Sequence, residues 1–365
     1  MFTPSPNPEL ASASFADPAS GRIVVLADDL TGACDAGAAF LSSGRSVRVW
    51  FGAGVLYSAP EKVQAFTTNS RSLSTARAAQ VVSRAAKALG SDPQSLFFKK
   101  VDSACRGPIG AEVLAAHRAL ATRAVLFAPA FPAEGRVVHK GALEIRNSAG
   151  EAKEVRLGNV FPLTVRHRIG VVSSPSEIAA TLESGKTILI CDSESQDELA
   201  ALARRAQAFP GLLYAGSAGL AQALAQLGCA PQPAALVPNV DRILLIAGSS
   251  HPVTRGQLET LDRERFSNLR VLRPGFPFAL AARIRSAFRS HKPQALILTG
   301  GETALCAVRA LEADSFILQG ELAPGIPWGW IQGGLAHGCT VVTKSGGFGA
   351  ATAFNKILTD LQGKI

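Results

Sequence analysis

The residues able to do chemistry gather at points where an apolar run gives way to a helix-forming stretch. In the first cluster, Asp28 and Asp29 stand side by side after Arg22-Ile-Val-Val-Leu-Ala27 and before the Ala-rich stretch that reaches Leu41. A buried strand that ends in carboxylates at a helix start lies where open α/β sheets bind ligands. One aspartate there reads as a helix cap. Two in succession point to a functional site, with Thr31 or Asp35 available as the cap.

A second cluster follows Ser95-Leu-Phe-Phe, where Lys99, Lys100, Asp102, Ser103 and Arg106 crowd one strand end. Such charge density is costly unless it meets a ligand or pairs internally as Lys–Asp, and both readings stand. Arg71 follows the run Gln64–Thr68 at another strand-to-helix turn. A guanidinium there could fork a carboxylate or phosphate, or lie solvated on the surface. The Pro-rich loop after Ala124–Ala128, with Gly135 and Arg136, reads as a wall of the same cleft.

The third kind of cluster is glycine-rich and occurs three times: Gly248-Ser249, Gly300-Gly301-Glu302-Thr303, and Lys344-Ser345-Gly346-Gly347-Phe348-Gly349. Each follows an apolar β-branched run and precedes a helix. Glycine lets a phosphate approach the backbone, and a helix N-terminus favours its charge. Any one could be an ordinary turn, but three of one polarity point to a nucleotide site. Neither G-x-x-x-x-G-K-[ST] nor a dinucleotide fingerprint is present, which excludes a Walker-type P-loop and counts against a dinucleotide enzyme.

The elements that must position these clusters alternate strand and helix, which predicts α/β architecture: two three-layer α/β domains with mostly parallel sheets and a cleft between them. The chain has 365 residues, 47% hydrophobic and 18% charged, enough for two cores. Residues 1–21 read as a disordered tail, 22–228 as the first domain, 229–241 as a Pro-rich linker and 242–365 as the second. Lys140–Leu163 reads as a short β excursion, and Pro324-Gly-Ile-Pro327 beside Trp328 as a structural turn. The net charge of +9 is carried by scattered arginines, which suits anionic metabolites and argues against nucleic acid. No run is long enough for a membrane span. The six cysteines form no C-x-x-C pair and read as small core residues of a cytoplasmic protein.

In order along the chain, the motifs Ala27-Asp-Asp-Leu-Thr-Gly32 with Asp35, Ser70-Arg71, Lys99-Lys-Val-Asp-Ser103 with Arg106-Gly107, Pro129-Ala-Phe-Pro132 with Gly135-Arg136, and Gly216-Ser-Ala-Gly-Leu220 cover the first half. Gly248-Ser249 with Thr254 and Gln257, Thr299-Gly-Gly-Glu-Thr303, Gly325-Ile-Pro327, and Lys344-Ser-Gly-Gly-Phe-Gly349 cover the second. Together they resemble the four-carbon acid sugar kinases, from Arg22 onward. The resemblance implies an acid-sugar domain at 22–228, an ATP domain at 242–365 and a reaction in the cleft. Ala104, Cys105 and Pro108 depart from the family pattern, and the region around Val155–Val171 looks trimmed; both changes fall on the substrate side.

Resemblance and residue chemistry together imply ATP-dependent phosphorylation of a terminal hydroxyl of a small sugar acid. Asp29, with Asp28 as rival, is the expected proton acceptor. Asp29, Arg71, Lys99, Lys100, Asp102, Ser103 and Arg106 are expected to bind the acid. Ser249, Gly300, Gly301, Glu302, Thr303, Lys344, Ser345, Gly346, Gly347, Phe348 and Gly349 are expected to hold ATP. Mg²⁺ is expected between the phosphates, with protein ligands not readable from sequence. The sequence leaves open a homodimer, a non-catalytic hydroxy-acid-binding protein on the same fold, and a nucleotide-dependent oxidoreductase.

Overall fold

The computed structural model describes residues 21–52, 59–90, 95–146, 152–227, 235–273 and 279–363. The expected tail, apart from Gly21, and the first part of the expected linker with Cys229 lie outside these. Residues 235–241 carry no helix or strand.

The elements of the first half are β1 (Ile23–Ala27), α1 (Leu30–Ala39), β2 (Val47–Trp50), β3 (Val63–Thr67), α2 (Thr75–Leu89), β4 (Leu96–Lys100), α3 (Ile109–Ala119) and β5 (Ala124–Ala128). They continue with β6 (Arg136–His139), β7 (Ala142–Arg146), β8 (Ala152–Arg156), β9 (Ile169–Val172), α4 (Ile178–Glu183), β10 (Ile188–Cys191), α5 (Gln196–Ala206), β11 (Leu212–Gly216) and α6 (Ala218–Ala225). The second half holds β12 (Ile243–Ala247), α7 (Pro252–Glu259), β13 (Leu269–Leu272), α8 (Leu280–His291), β14 (Ala295–Thr299) and α9 (Gly301–Ala310). It ends with β15 (Ser315–Ala323), β16 (Ile326–Gln332), β17 (Thr340–Lys344) and α10 (Ala353–Gln362).

The strands β1, β3, β4, β5, β12, β14 and β17 are buried at every residue, as apolar runs covered by helices on both faces must be. They lie in one sheet ordered β13-β12-β14-β17-β16-β15-β2-β3-β1-β4-β11-β5-β10-β9. Among the described residues of this sheet, only β15–β16, β15–β2 and β16–β17 pair antiparallel. The mostly parallel α/β fold is therefore present, and its two halves are continuous through one seam. There, Ser315–Leu318 of β15 pair with Trp50–Val47 of β2. Phe316, fully buried, meets Phe51 edge-on at 4.6 Å between ring centroids, and Arg48 Nη1 donates to Ser315 Oγ at 3.1 Å.

The expected β excursion is a separate antiparallel sheet, β6-β7-β8, that starts earlier than expected, at Arg136. Of the expected turn Pro324–Pro327, only Pro324 and Gly325 form one, with Gly325 at φ +68°; Ile326 and Pro327 already belong to β16, which pairs with β15, and Trp328 is buried. Chain order reverses on either side of β1, whose neighbours are β3 and β4, and on either side of β12, whose neighbours are β13 and β14. These are the switch points at which α/β sheets open a crevice. Five pairings separate β1 from β17, over which a sheet rotates by roughly 100–125°. Strand ends from the two halves thereby face each other, and α1 packs against both α9 and β15.

Truncating the seam tests its weight. Phe316→Ala should cost about 3–5 kcal/mol, seen as a lower urea midpoint at unchanged slope. An unchanged midpoint would show that the seam contributes no stability.

Candidate functional site

Asp29 caps α1: its backbone is extended, and its Oδ1 accepts from the Gly32 N–H at 2.6 Å. Thr31, an expected cap, instead donates its hydroxyl to Asp29 Oδ2 at 3.2 Å. Arg71 reaches across from the loop after β3. Its Nε and Nη2 fork Asp28 at 2.7 and 2.9 Å, its Nη1 bonds Asp29, and Nη2 lies 3.6 Å from Asp102. Asp102 is forked in turn by Arg106, at 2.7 and 2.8 Å, and accepts the Arg106 N–H at 3.0 Å.

Burial raises the Asp28 carboxyl, but the Arg71 guanidinium outweighs it and holds Asp28 below the ordinary carboxylate range. Asp29 goes the other way: burial dominates, Arg71 only partly offsets it, and the charge of Asp28 adds to the rise. Asp102 is held low against burial by Arg106 and Arg71. Arg71 is raised because three carboxylates outweigh its own desolvation.

Consecutive residues of a strand point to opposite faces, and this separates the two lysines of β4. Lys100 faces α1, with Nζ 3.7 Å from Asp35 Oδ2 and donating to the Val101 carbonyl at 2.9 Å. Lys99 faces α3 and pairs with Glu112 at 2.8 Å, both wholly buried.

The glycine-rich segments meet this cluster from the other side. Gly300, at φ +92°, adopts a backbone conformation that favours glycine. At Gly301 a Cβ would collide with the Asp29 carboxylate, so the N-terminus of α9 lies directly against it. Ser345 donates to the Thr31 hydroxyl at 3.2 Å. The last loop is held from behind: Thr254 donates to the Gly346 carbonyl at 2.7 Å, and Gln257 Nε2 to the carbonyls of Phe348, Gly349 and Ala350 at 3.0, 2.9 and 2.8 Å. Lys344 props it from below, donating to the carbonyls of Ser345 and Phe348 at 3.0 Å each. Burial lowers Lys344 to about 8, against the pull of Glu134. These loop carbonyls are thus turned onto α7 and Lys344, and the Phe348 N–H donates to the Ser345 carbonyl at 3.1 Å.

Two adjoining cavities result. The first, about 180 Å³, is lined by Asp35, Lys100, Asp102, Ser103, Ala104, Arg136, Ile145, Gly347 and Phe348, among others. The second, about 260 Å³, is lined by Asp29, Thr31, Gly248, Ser249, Gly300, Gly301, Glu302, Thr303 and Gly346. Arg71, Arg106, His251 and Ser345 line both.

Residues 23–224 match the family described as a sugar-binding N-terminal domain, and residues 278–354 that described as a nucleotide-binding C-terminal domain. The chain belongs to the four-carbon acid sugar kinase family. It is 29% identical to a D-threonate kinase of Bordetella bronchiseptica, over 90% of this chain and 94% of that one. It is 27% identical to a D-erythronate kinase of Heliobacterium modesticaldum, over 66% of this chain and 60% of that one. Its fold resembles the crystal structure of a Haemophilus influenzae protein, with a TM-score of 0.63 at 21% identity, covering 93% of this chain and 99% of that one.

In this four-carbon acid sugar kinase family member, the expected site residues fall into three sets. Arg71, Lys100, Asp102, Ser103 and Arg106 line the first cavity, and Asp29, Ser249, Gly300, Gly301, Glu302, Thr303, Ser345 and Gly346 the second. Gly347 and Phe348, expected on the nucleotide side, line the first. Asp28, Lys99, Lys344 and Gly349 line neither; Asp28 sits behind Arg71, and Lys344 under the loop. Among the cavity residues not singled out as site residues from sequence, three carry ionisable side chains: Asp35, read only as a cap or motif member; Arg136, read as a cleft wall; and His251. The last caps α7, its Nδ1 accepting the Val253 N–H at 3.2 Å, a role visible in His251-Pro252 before a helix.

Lys99 and Glu112 provide a test of the structural reading of that pair. Lys99→Ala leaves a buried carboxylate unpaired and should cost about 3–5 kcal/mol, whereas Lys99→Met with Glu112→Leu should recover most of it. Thermal unfolding measures both. A double variant as stable as the parent but unable to bind the acid would return Lys99 to the acid site.

Proposed function

We propose that the protein is an ATP-dependent kinase that phosphorylates a terminal hydroxyl of a small, four-carbon sugar acid such as threonate, erythronate or an oxo-tetronate. The observation that carries this reading is the pair of cavities with four shared walls. One is lined by cations, carboxylates and a serine, chemistry suited to a polyhydroxy acid. The other is lined by glycines, hydroxyls and a helix N-terminus, chemistry suited to phosphates. Phosphoryl transfer asks for such juxtaposition, because it depends on positioning and on neutralising charge.

In this reading ATP lies in the second cavity, where the absence of a side chain lets Gly301 approach Asp29 and Gly346 approach Ser249 closely. The amides of α9 and of the loop after β17 meet its phosphates, with the Ser249 and Thr303 hydroxyls beside them. Mg²⁺ would lie on the phosphates near Asp29 and Glu302, where it would neutralise charge. Among the described residues no group of three or more His, Cys, Asp or Glu could hold a metal ion, so waters and phosphate oxygens would complete its shell. Asp29 takes the proton of the attacking hydroxyl as the new O–P bond forms and the bond to the leaving diphosphate breaks. Its raised basicity suits that task better than the lowered basicity of Asp28. Arg71 and Arg106, on the wall common to both cavities, face the charge that moves between them.

A coupled ADP-release screen across C4 and C5 aldonates and their oxo forms tests the reading; turnover of none of them overturns it. Asp29→Asn should lower kcat by about 10²–10⁴-fold with ATP affinity nearly unchanged. Because Asp29 is raised and must be deprotonated to act, activity should fall, as pH drops, above the ordinary carboxylate range of about 4. That limb should vanish from the residual activity of Asp29→Asn. Near-parental turnover in this variant would remove Asp29 from the role.

A further inference from the structure

The cations around the acid-side cavity are not equally available. Arg71 spends its fork on Asp28 and its remaining nitrogen on Asp29. Arg106 is forked onto Asp102. Lys100 donates to a carbonyl and lies near Asp35. Arg136 differs. It lines the cavity and is nine-tenths buried, and its Nε has no hydrogen-bond partner among the described residues. Its Nη1 is tied to the Glu134 carbonyl and lies 3.3 Å from Glu134 Oε2. Its guanidinium lies over the Phe348 ring, 5.0 Å from the centroid, which fixes the plane of the fork. Asp35 lines the same cavity, is 3% exposed, and its buried Oδ1 has no partner among the described residues. Two residues that line one small cavity thus each keep a buried polar atom, one donor and one acceptor, without a partner among the described residues. Native interiors pair such atoms.

We infer that Arg136 is the residue that anchors the carboxylate of the acid, with Asp35 accepting a hydroxyl of the same molecule. The inference rests on the kinase reading of the site. It directs the end of the acid remote from the carboxylate toward the wall shared by Arg71, Arg106, His251 and Ser345, so the terminal hydroxyl is the one presented for phosphorylation. It also separates the work of the arginines: Arg71 organises the aspartates, and Arg136 reads the substrate. The electrostatics agree. Burial raises Glu134 to about 7, against the pull of Arg136 and with the charge of Asp35 adding to the rise, so at neutral pH Glu134 only partly cancels the guanidinium. Burial likewise raises Asp35 to about 6, against Lys100, which leaves its carboxylate a charged acceptor at neutral pH.

The test compares two substrates that differ only at the anchored end: a C4 aldonate that turns over, and the corresponding tetritol, with CH₂OH in place of the carboxylate. The readout is the ratio of their kcat/KM values in the wild type, Arg136→Gln, Arg136→Lys and Arg71→Lys, with folding checked by circular dichroism and thermal midpoint. The wild type should prefer the acid by about 10²-fold, the scale of a charge-assisted hydrogen bond. Arg136→Gln should reduce this preference to less than about tenfold, through KM for the acid, with KM for ATP unchanged. Arg136→Lys, which keeps the charge but not the fork, should fall between. A folded Arg136→Gln that keeps the wild-type preference overturns the inference, as does loss of the preference in Arg71→Lys alone. Asp35→Asn should raise KM for acid and tetritol alike; an unchanged KM for both removes Asp35 from the hydroxyl. Should the wild type release ADP with no acid, the kinase reading fails, and calorimetric binding of the aldonate to wild type and Arg136→Gln still decides the anchor: equal affinities, or no binding to either, overturn it.

Discussion

Three carboxylates share one buried corner of this molecule because the Arg71 guanidinium lies among them and Arg106 forks the third, Asp102. Without Arg71, Asp28 and Asp29 would carry adjacent like charges in a place poorly reached by water, at a cost of several kcal/mol for each uncompensated ion. The sharing is uneven, and the unevenness matters. The rigid fork of Arg71 fits Asp28 with two bonds and Asp29 with one, while the N-cap bond of Asp29 to Gly32 supplies a further donor. Adjacent residues of one type are therefore driven in opposite directions, one toward a permanent anion and the other toward a more basic group. Most of what surrounds the cleft follows from holding that corner in place.

The glycine-rich side depends on a comparable device of opposite sign. Lys344 is wholly buried, and its ammonium satisfies two loop carbonyls beside the ring of Phe354. Thr254 takes the Gly346 carbonyl and Gln257 those of Gly349 and Ala350, so the loop is shaped by its support before any ligand arrives. Phe348 then leaves its own half of the chain and packs with Phe131 and Ala218 of the other. The acid-side cavity is thus walled partly by the loop that the nucleotide side presents.

Much of this was legible in the sequence, for a physical reason. A strand buried on both faces must be an apolar run, and a turn that receives a ligand must be small or charged, so the units at Ile23–Ala27, Ala295–Thr299 and Thr340–Lys344 stand out. What could not be read were long-range partners. Nothing local to Arg71 shows that its fork is taken by carboxylates some 40 positions away. Lys99 is a case where the signal existed: strand alternation alone places it and Lys100 on opposite faces. The short edge strands β9 and β13 lack a continuous apolar run, and β15–β16 were hidden by prolines and by register shifts within the ladder. Arg136 and Asp35 were visible as types but not as lone atoms lacking partners, which only packing reveals.

The seam between β2 and β15 has a bearing on how the chain tolerates division. Each strand is an edge of its own half, and each contributes buried apolar residues to the join: Val47 and Val49 on one side, Phe316 and Leu318 on the other. Separating the halves would lay bare two unpaired ladders, each with greasy flanks, and such ladders template association with other chains. Fragments cut at 235–241 would therefore be sticky partners rather than independent modules, better suited to reassembly when co-produced than to life apart.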